Sequence, residues 1–185
     1  MGLDILLGAT NQAALDAGDF NPSDHRLSRT FCALMCRQND FEGASELDQI
    51  GQLTGVDLSP LSGMTHYLLP EDVAGWLECE QDPAERKRVT EQAEAATAAI
   101  AGNLNRVTVT VQVLLTQLAL FDDLPSRLLP VAEKPFPEAG RYFTSFASPR
   151  MNQFDNTFGQ DLCNLKAFLD YAKSKGSQTV FFVFG

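Results

Sequence analysis

The sequence predicts a mainly helical α+β fold, built on a long central helix or a kinked helix pair, with a small sheet that includes the C-terminal strand. Three observations predict this fold class. Apolar residues recur every three or four positions from Val89 to Phe121, and the stretch from Phe158 to Lys175 is also amphipathic. The chain then closes on an apolar run from Val180 to Phe184. With 185 residues and 44% hydrophobic content, the chain fits a single domain spanning residues 1–185.

The segment from Asp82 to Phe121 carries the central helix. Asp82 is a good N-terminal cap, Pro83 suits the first helical position, and Pro125 lies where the helical pattern has ended. One face is apolar throughout, and its members are Val89, Ala93, Ala96, Ile100, Leu104, Val107, Val111, Leu114, Leu118 and Phe121.

Two alternatives remain open within this segment. Gly102 lowers helix stability by about 1 kcal/mol relative to Ala, so the segment is either one helix or two helices with a bend. The valines from Val107 to Val113 alternate with polar residues, which is typical of a strand. The spacing of three or four continues much further than this alternation, and we therefore predict a helix over 104–118.

Shorter elements precede the central helix. Ser45 and Asp48 resemble a capping box, Asp24 is a candidate cap for the helix that follows it, and Gly55 is a suitable stop. We predict a loop over Val56–Tyr67, because it is rich in Ser, Pro, Gly and Asp. The predicted elements are a strand at Leu3–Leu7, a helical turn at Asn11–Gly18, and helices at Arg26–Arg37, Ser45–Leu53 and Pro70–Cys79, the last with Val73, Trp76 and Leu77 buried.

The C-terminal third predicts a β-α-β unit. A proline-rich passage after Pro125 is expected to follow the surface, a strand is predicted at Tyr142–Phe146, and a loop at Ser148–Asn156. Parallel pairing of Tyr142–Phe146 with Val180–Phe184 would then follow, with the N-terminal strand as a further member. Gly176 suits a left-handed cap after the intervening helix. The inward face of that helix comprises Phe158, Leu162, Leu165, Phe168, Leu169 and Ala172.

Charge is distributed unevenly along the chain. The net charge is −10, and residues 38–85 contain eleven acidic residues without one Lys or Arg. Such a field repels nucleic acid and anionic membranes and attracts a basic protein surface. A solvated acidic face that maintains solubility is the alternative interpretation. The candidate partner-binding residues are Asp40, Glu42, Glu46, Asp48, Asp57, Glu71, Asp72, Glu78 and Glu80.

The cysteines and histidines give weak signals for chemistry. Cys32 and Cys36 share one helix face, but a structural zinc site needs four ligands, so we interpret them as small buried side chains and predict no metal and no cofactor. His66, followed by Glu71 and Asp72, is a candidate general base in a small hydrolase or metal-dependent enzyme. The sequence contains no glycine-rich phosphate loop, no G-x-S-x-G and no H-E-x-x-H motif, and we assign no catalytic residue.

Both ends of the chain carry a resemblance. The opening Met1–Ile5, the region from Arg29 to Pro60, and the closing segment from Asn156 to Gly185 (NTFGQDLCNLKAFLDYAKSKGSQTVFFVFG) resemble a group of small uncharacterised bacterial proteins. The resemblance covers about half of the chain and implies no particular activity. Small acidic bacterial proteins are often immunity or antitoxin-like proteins, which implies a protein partner by analogy alone.

These observations predict a non-enzymatic binding protein with an acidic face and a basic protein partner. No secretory signal or membrane-spanning run is recognisable, so a cytoplasmic location with reduced thiols is expected. The enzyme based on His66 is the first alternative. An oligomeric structural protein, joined through the central helix, is the second.

Overall fold

A computed structural model describes residues 4–18, 26–37, 44–129, 131, 136, 139–147 and 156–185. Within these ranges the fold is α+β and mainly helical, as predicted. The two strands are β1 (Ile5–Ala9) and β2 (Val180–Phe184). The α-helices are α1 (Gln12–Asp16), α2 (Arg29–Cys36), α3 (Glu46–Thr54), α4 (Ser59–Gly63), α5 (Pro70–Cys79), α6 (Pro83–Ile100), α7 (Leu104–Leu118), α8 (Ala139–Tyr142) and α9 (Phe158–Ser174).

Helices α7 and α9 form the centre of the hydrophobic core. Residues 104–118 are helical, which confirms the helix and excludes the strand alternative. Val107, Val111, Leu114 and Leu118 on α7 are fully buried. All six residues predicted to face inward on α9 are buried as well, and Gly176 adopts the left-handed conformation with φ 78°.

Of the two alternatives for the central segment, one helix or two helices with a bend, the structure shows the second. Helix α6 ends at Ile100, Gly102 takes a left-handed φ of 67°, and α7 begins at Leu104. The buried Asn103 between them binds the start of β2: its Nδ2 donates to the carbonyl of Val180 at 2.9 Å, and its Oδ1 accepts from the Val180 amide at 2.9 Å. The break in the helix is therefore fixed to the sheet by a side-chain amide that satisfies both backbone groups of one residue.

The sheet differs from the predicted β-α-β unit. Strand β1 pairs antiparallel with β2, from Ile5 opposite Phe184 to Ala9 opposite Val180. The predicted strand at Tyr142–Phe146 is wrong. Helix α8 ends at Tyr142. Tyr142 and Phe143 are both buried although they are adjacent, whereas successive side chains of a strand point to opposite faces. Ser145 has a φ of 67°, which no extended strand adopts. The N-terminal strand, predicted as an additional member, is the actual partner of β2.

Local capping follows the sequence closely in α3 and shifts in α2. The capping box is present: the Asp48 amide donates to Ser45 Oγ at 3.2 Å and the Ser45 amide to Asp48 Oδ2 at 2.9 Å. Gly55 ends α3 with a φ of 68°, as predicted. Helix α2 begins at Arg29 and is capped by Ser28, while the predicted cap Asp24 lies outside the described residues.

The predicted loop at 56–67 is wrong in its middle. Helix α4 and a 3₁₀ turn at Met64–His66 occupy it, because Asp57 Oδ1 accepts from the Ser59 amide at 2.9 Å and starts the helix. Leu61 and Met64 then contribute to the core. Of the proline-rich passage and the loop predicted at 148–156, Pro130, Pro135, Pro137 and residues 148–155 lie outside the described residues.

Helices α5 and α6 contribute little to the core. The predicted burial of Val73, Trp76 and Leu77 is wrong: no residue of α5 is buried, and the Trp76 side chain is 39% exposed. Of the 18 residues of α6, only Ile100 is buried. Both helices form as predicted from caps and periodicity, but several of their apolar side chains, such as Val73, Leu77 and Ala93, line a shallow groove.

Candidate docking surface on the α5–α6 hairpin

The α5–α6 hairpin, residues 70–100, is closed by interactions within its own turn. Arg86 donates to the carbonyls of Leu77 and Glu80, the latter at 3.0 Å, and so satisfies free carbonyls at the end of α5. Asp82 Oδ1 accepts from the Ala84 amide at 2.9 Å and caps α6. The turn geometry is thus set by local sequence, and at each helix end a side chain satisfies part of the free backbone groups.

An open apolar groove runs along the hairpin. It has a volume of about 540 Å³. Val73 and Leu77 of α5 form one wall, and Ala93 and Ala98 of α6 form the other. Because most of the lining side chains on α6 are Ala or Thr, the groove is shallow and a further helix could approach the backbone closely. The lining residues are Leu68, Pro70, Val73, Ala74, Leu77, Thr90, Ala93, Glu94, Thr97, Ala98 and Ala101.

Four exposed carboxylates are attached to this hairpin without a partner of their own. Glu71, Asp72, Glu78 and Glu94 make no hydrogen bond or ion pair with any described residue. Glu94 lines the groove, and the other three are sequence neighbours of its α5 wall. They are therefore available to a partner without losing an internal contact.

The basic residues of the hairpin are engaged internally. Arg88 pairs with Glu85, which lowers the pKa of that carboxyl through the hydrogen bond that it donates, and Lys87 Nζ lies 3.7 Å from Glu91 Oε1. Arg86 serves the turn described above. With eight acidic and three basic residues, residues 70–100 carry a net charge of −5, half of the −10 of the whole chain.

The structure divides the acidic residues predicted from sequence into separate groups. Glu71, Asp72, Glu78 and Glu80 lie on or directly after α5, where Glu80 Oε1 accepts from the Asp82 amide at 2.8 Å. Asp40 and Glu42 lie outside the described residues.

Glu46 is buried, with 3% of its surface exposed, and its Oε1 lies 3.0 Å from Arg37 Nη2. Its carboxylate stabilises the contact between α2 and α3 and is not exposed to a partner. Asp48 and Asp57 line a second cavity of about 590 Å³ between α3 and α4. Asp48 completes the capping box of α3, and Asp57 accepts hydrogen bonds from the amide and hydroxyl of Ser59, which lower the pKa of its carboxyl. Neither is free to bind a partner without loss of these hydrogen bonds.

The alternative chemical sites receive no support from the described residues. His66 is exposed at the end of its 3₁₀ turn and has no hydrogen-bond or ion-pair partner there. Cys32 is buried. Its burial, with a smaller contribution from Cys36 beside it, raises the pKa of its thiol to about 12. Cys79 is exposed on α5. Within the described ranges, no three His, Cys, Asp or Glu side chains are arranged to hold a metal ion.

One buried carboxyl group, which the sequence pattern does not identify, has a strongly raised pKa. Asp161, in the first turn of α9, is fully buried and accepts hydrogen bonds from the Ser28 amide at 2.8 Å, Ser28 Oγ at 2.6 Å and Tyr142 Oη at 2.9 Å. All of these donors are uncharged. Burial raises the pKa of Asp161 from 3.8 to about 6, against the opposing effect of these hydrogen bonds, and burial also raises the pKa of Tyr142. Asp161 joins the starts of α2 and α9 to the end of α8, which is a structural role.

We expect Asp161 to make stability depend on pH with an unusual sign. Because its pKa is higher in the folded protein than in the unfolded chain, its stabilising contribution is complete below pH 3.8 and is lost as the pH rises through 6. The loss amounts to about 3 kcal/mol, at about 1.4 kcal/mol for each pKa unit. The free energy of unfolding of the wild type, minus that of Asp161→Asn, should therefore fall by about this amount between pH 3.5 and 7. Urea unfolding of both proteins across this range measures it, and a constant difference would contradict the raised pKa of Asp161.

Comparison with protein-family models, with curated proteins and with solved structures finds no match for this chain. Among the described residues, no helix has both the length and the apolar character required to cross a membrane.

Proposed function

We propose that this protein is a non-enzymatic binding protein that uses the acidic face of the α5–α6 hairpin to bind a basic surface of another protein. The observation that carries the proposal is the set of unpaired, exposed carboxylates of Glu71, Asp72 and Glu78 on a helix without a single buried residue. A helix that serves only the fold normally buries one face, and α5 does not.

The charge distribution supports a basic partner in particular. The hairpin carries its negative charge on one exposed element, so its field accelerates the encounter with a positively charged protein. A cytoplasmic location, with all four cysteines free, belongs to the same proposal. The immunity or antitoxin role rests on an analogy with small acidic bacterial proteins and stays a prediction.

Charge neutralisation in a binding experiment tests this function. The triple variant Glu71→Gln, Asp72→Asn, Glu78→Gln should lose most partner capture from an extract of the source cells at low salt. A control triple variant, Asp16→Asn, Asp122→Asn, Asp170→Asn, changes the net charge equally at exposed sites off the hairpin and should capture the partner normally. Wild-type capture should fall with added salt, because these charges are exposed and screened.

Two results would contradict the proposal. Equal loss in the two triple variants would mean that net charge alone matters and that no acidic face exists. A partner retained equally by all three proteins at molar salt would mean that binding is not electrostatic.

A further inference from the structure

We infer that the groove between α5 and α6 is the docking site for an amphipathic helix of a partner protein, with an apolar stripe facing the groove and Lys or Arg on its flanks. This inference rests on the proposed function and specifies its partner. The proposed function requires only an acidic surface, whereas the inference requires that apolar contacts in the groove contribute to binding.

The dimensions of the groove suit a short helix. Its α6 wall extends from Thr90 to Ala101, about 16 Å at 1.5 Å per residue, which matches about three helical turns. The side chains that project from this wall are mainly Ala and Thr, so a third helix can lie at the short end of the usual 8–10 Å interaxial range. Binding of an amphipathic helix in an apolar groove is a recurring mode of peptide recognition.

The charge on and near the groove favours one kind of occupant over another. Glu94 lines the groove, and Glu71, Asp72 and Glu78 add unpaired negative charge on the helix that forms its α5 wall. A helix with basic flanks brings opposite charges against these carboxylates. A second copy of the hairpin would bring a net charge of −5 against another −5, with its own bases already paired, so the groove does not favour self-association.

Substitutions at Ala98 and Ala99 separate the effect of apolar contact in the groove from the effect of charge. Both are exposed and adjacent in α6, but only Ala98 lines the groove, because successive positions on a helix point about 100° apart. A glutamate at either position adds the same negative charge at nearly the same distance from the end of the helix. Attraction of a basic helix by charge alone therefore predicts slightly tighter binding for both variants.

The experiment measures the affinity of a labelled amphipathic peptide by fluorescence anisotropy. The peptide has about four helical turns, leucines at i, i+3, i+4 and i+7, and lysines on both flanks. We expect Ala98→Glu to weaken binding by about tenfold or more, and Ala99→Glu to change it by less than about twofold. Control peptides are a scrambled sequence of the same composition and a version with glutamates in place of the lysines, and both should bind weakly.

The outcomes separate the two proposals. Equal affinity of the Ala98→Glu and Ala99→Glu variants for the peptide would overturn the inference that the groove is the docking site. If the triple variant on α5 still binds the peptide more weakly than the wild type, the proposed function of the acidic face stands. An unchanged affinity of that triple variant for the lysine peptide would overturn the function. Dimeric sedimentation of the wild type that becomes monomeric only in Ala98→Glu would show that the groove holds a second copy, which also overturns the inference.

Discussion

Replacement of Phe158 by Ala is expected to lower the free energy of unfolding by about 3–5 kcal/mol. Phe158 is fully buried at the start of α9, and its ring packs against four other aromatic rings at centroid distances of 5.6–6.3 Å. These rings come from α2, α8 and the segment after α8, so their packing holds separate parts of the chain against α9. They belong to Phe31, Tyr142, Phe143 and Phe146.

Urea denaturation followed by far-ultraviolet circular dichroism measures this loss. The control is Leu129→Ala, a large apolar residue that is 73% exposed, for which we expect a change within about 0.5 kcal/mol. A loss below about 1 kcal/mol at Phe158 would mean that this aromatic cluster is not a tightly packed part of the core.

Replacement of Asn103 by Ala should cost about 2–5 kcal/mol. The change removes both partners of the buried backbone groups of Val180, and an unsatisfied buried polar group costs about 1–3 kcal/mol. It also weakens the attachment of the break between α6 and α7 to the start of β2, where other hydrogen bonds remain. These include the Leu104 amide, which donates to the Gln178 carbonyl at 3.1 Å, and the Gly102 amide, which donates to Thr179 Oγ1 at 2.9 Å.

Thermal unfolding compares this variant with Gln112→Ala, which removes an amide from the exposed face of α7. Only the Asn103 variant should show a marked decrease in melting temperature. If both variants unfold at the melting temperature of the wild type, water replaces the side-chain amide of Asn103 without loss of stability. Asn103 then does not hold the helix break against the sheet.

Sequence patterns predict helices such as α3, α7 and α9 because their signals are local. The capping box at Ser45 and Asp48, the stop at Gly55 and the periodicity of α7 and α9 each involve residues within a few positions of one another. The strand partner of β2 was not predictable in this way, since β1 lies at the opposite end of the chain. The aromatic run at Tyr142–Phe146 looks like a strand, but it packs as a cluster around Phe158.

The sequence predicts that the candidate site is acidic, but it does not predict which acidic residues form the site. The excess of acidic residues over 38–85 is visible in sequence, but the pattern does not distinguish Glu46, buried against Arg37, from the free carboxylates of Glu71 and Asp72. The groove is not predictable from sequence, because the periodicity places apolar residues such as Val73 and Leu77 on a face that looks buried. Periodicity identifies an apolar face of a helix and says nothing about what covers it.

Hydrogen–deuterium exchange tests most directly the central claim that the α5–α6 hairpin serves a partner and not the core. Peptides from α5 and the first half of α6 should exchange well before those from α7 and α9 in the free protein, because few buried contacts hold the hairpin in place. Saturation with the lysine-flanked amphipathic helix should slow exchange in the hairpin selectively. Exchange of α5 at the rate of α7 in the free protein, or an unchanged rate in the hairpin at saturation, would contradict the account.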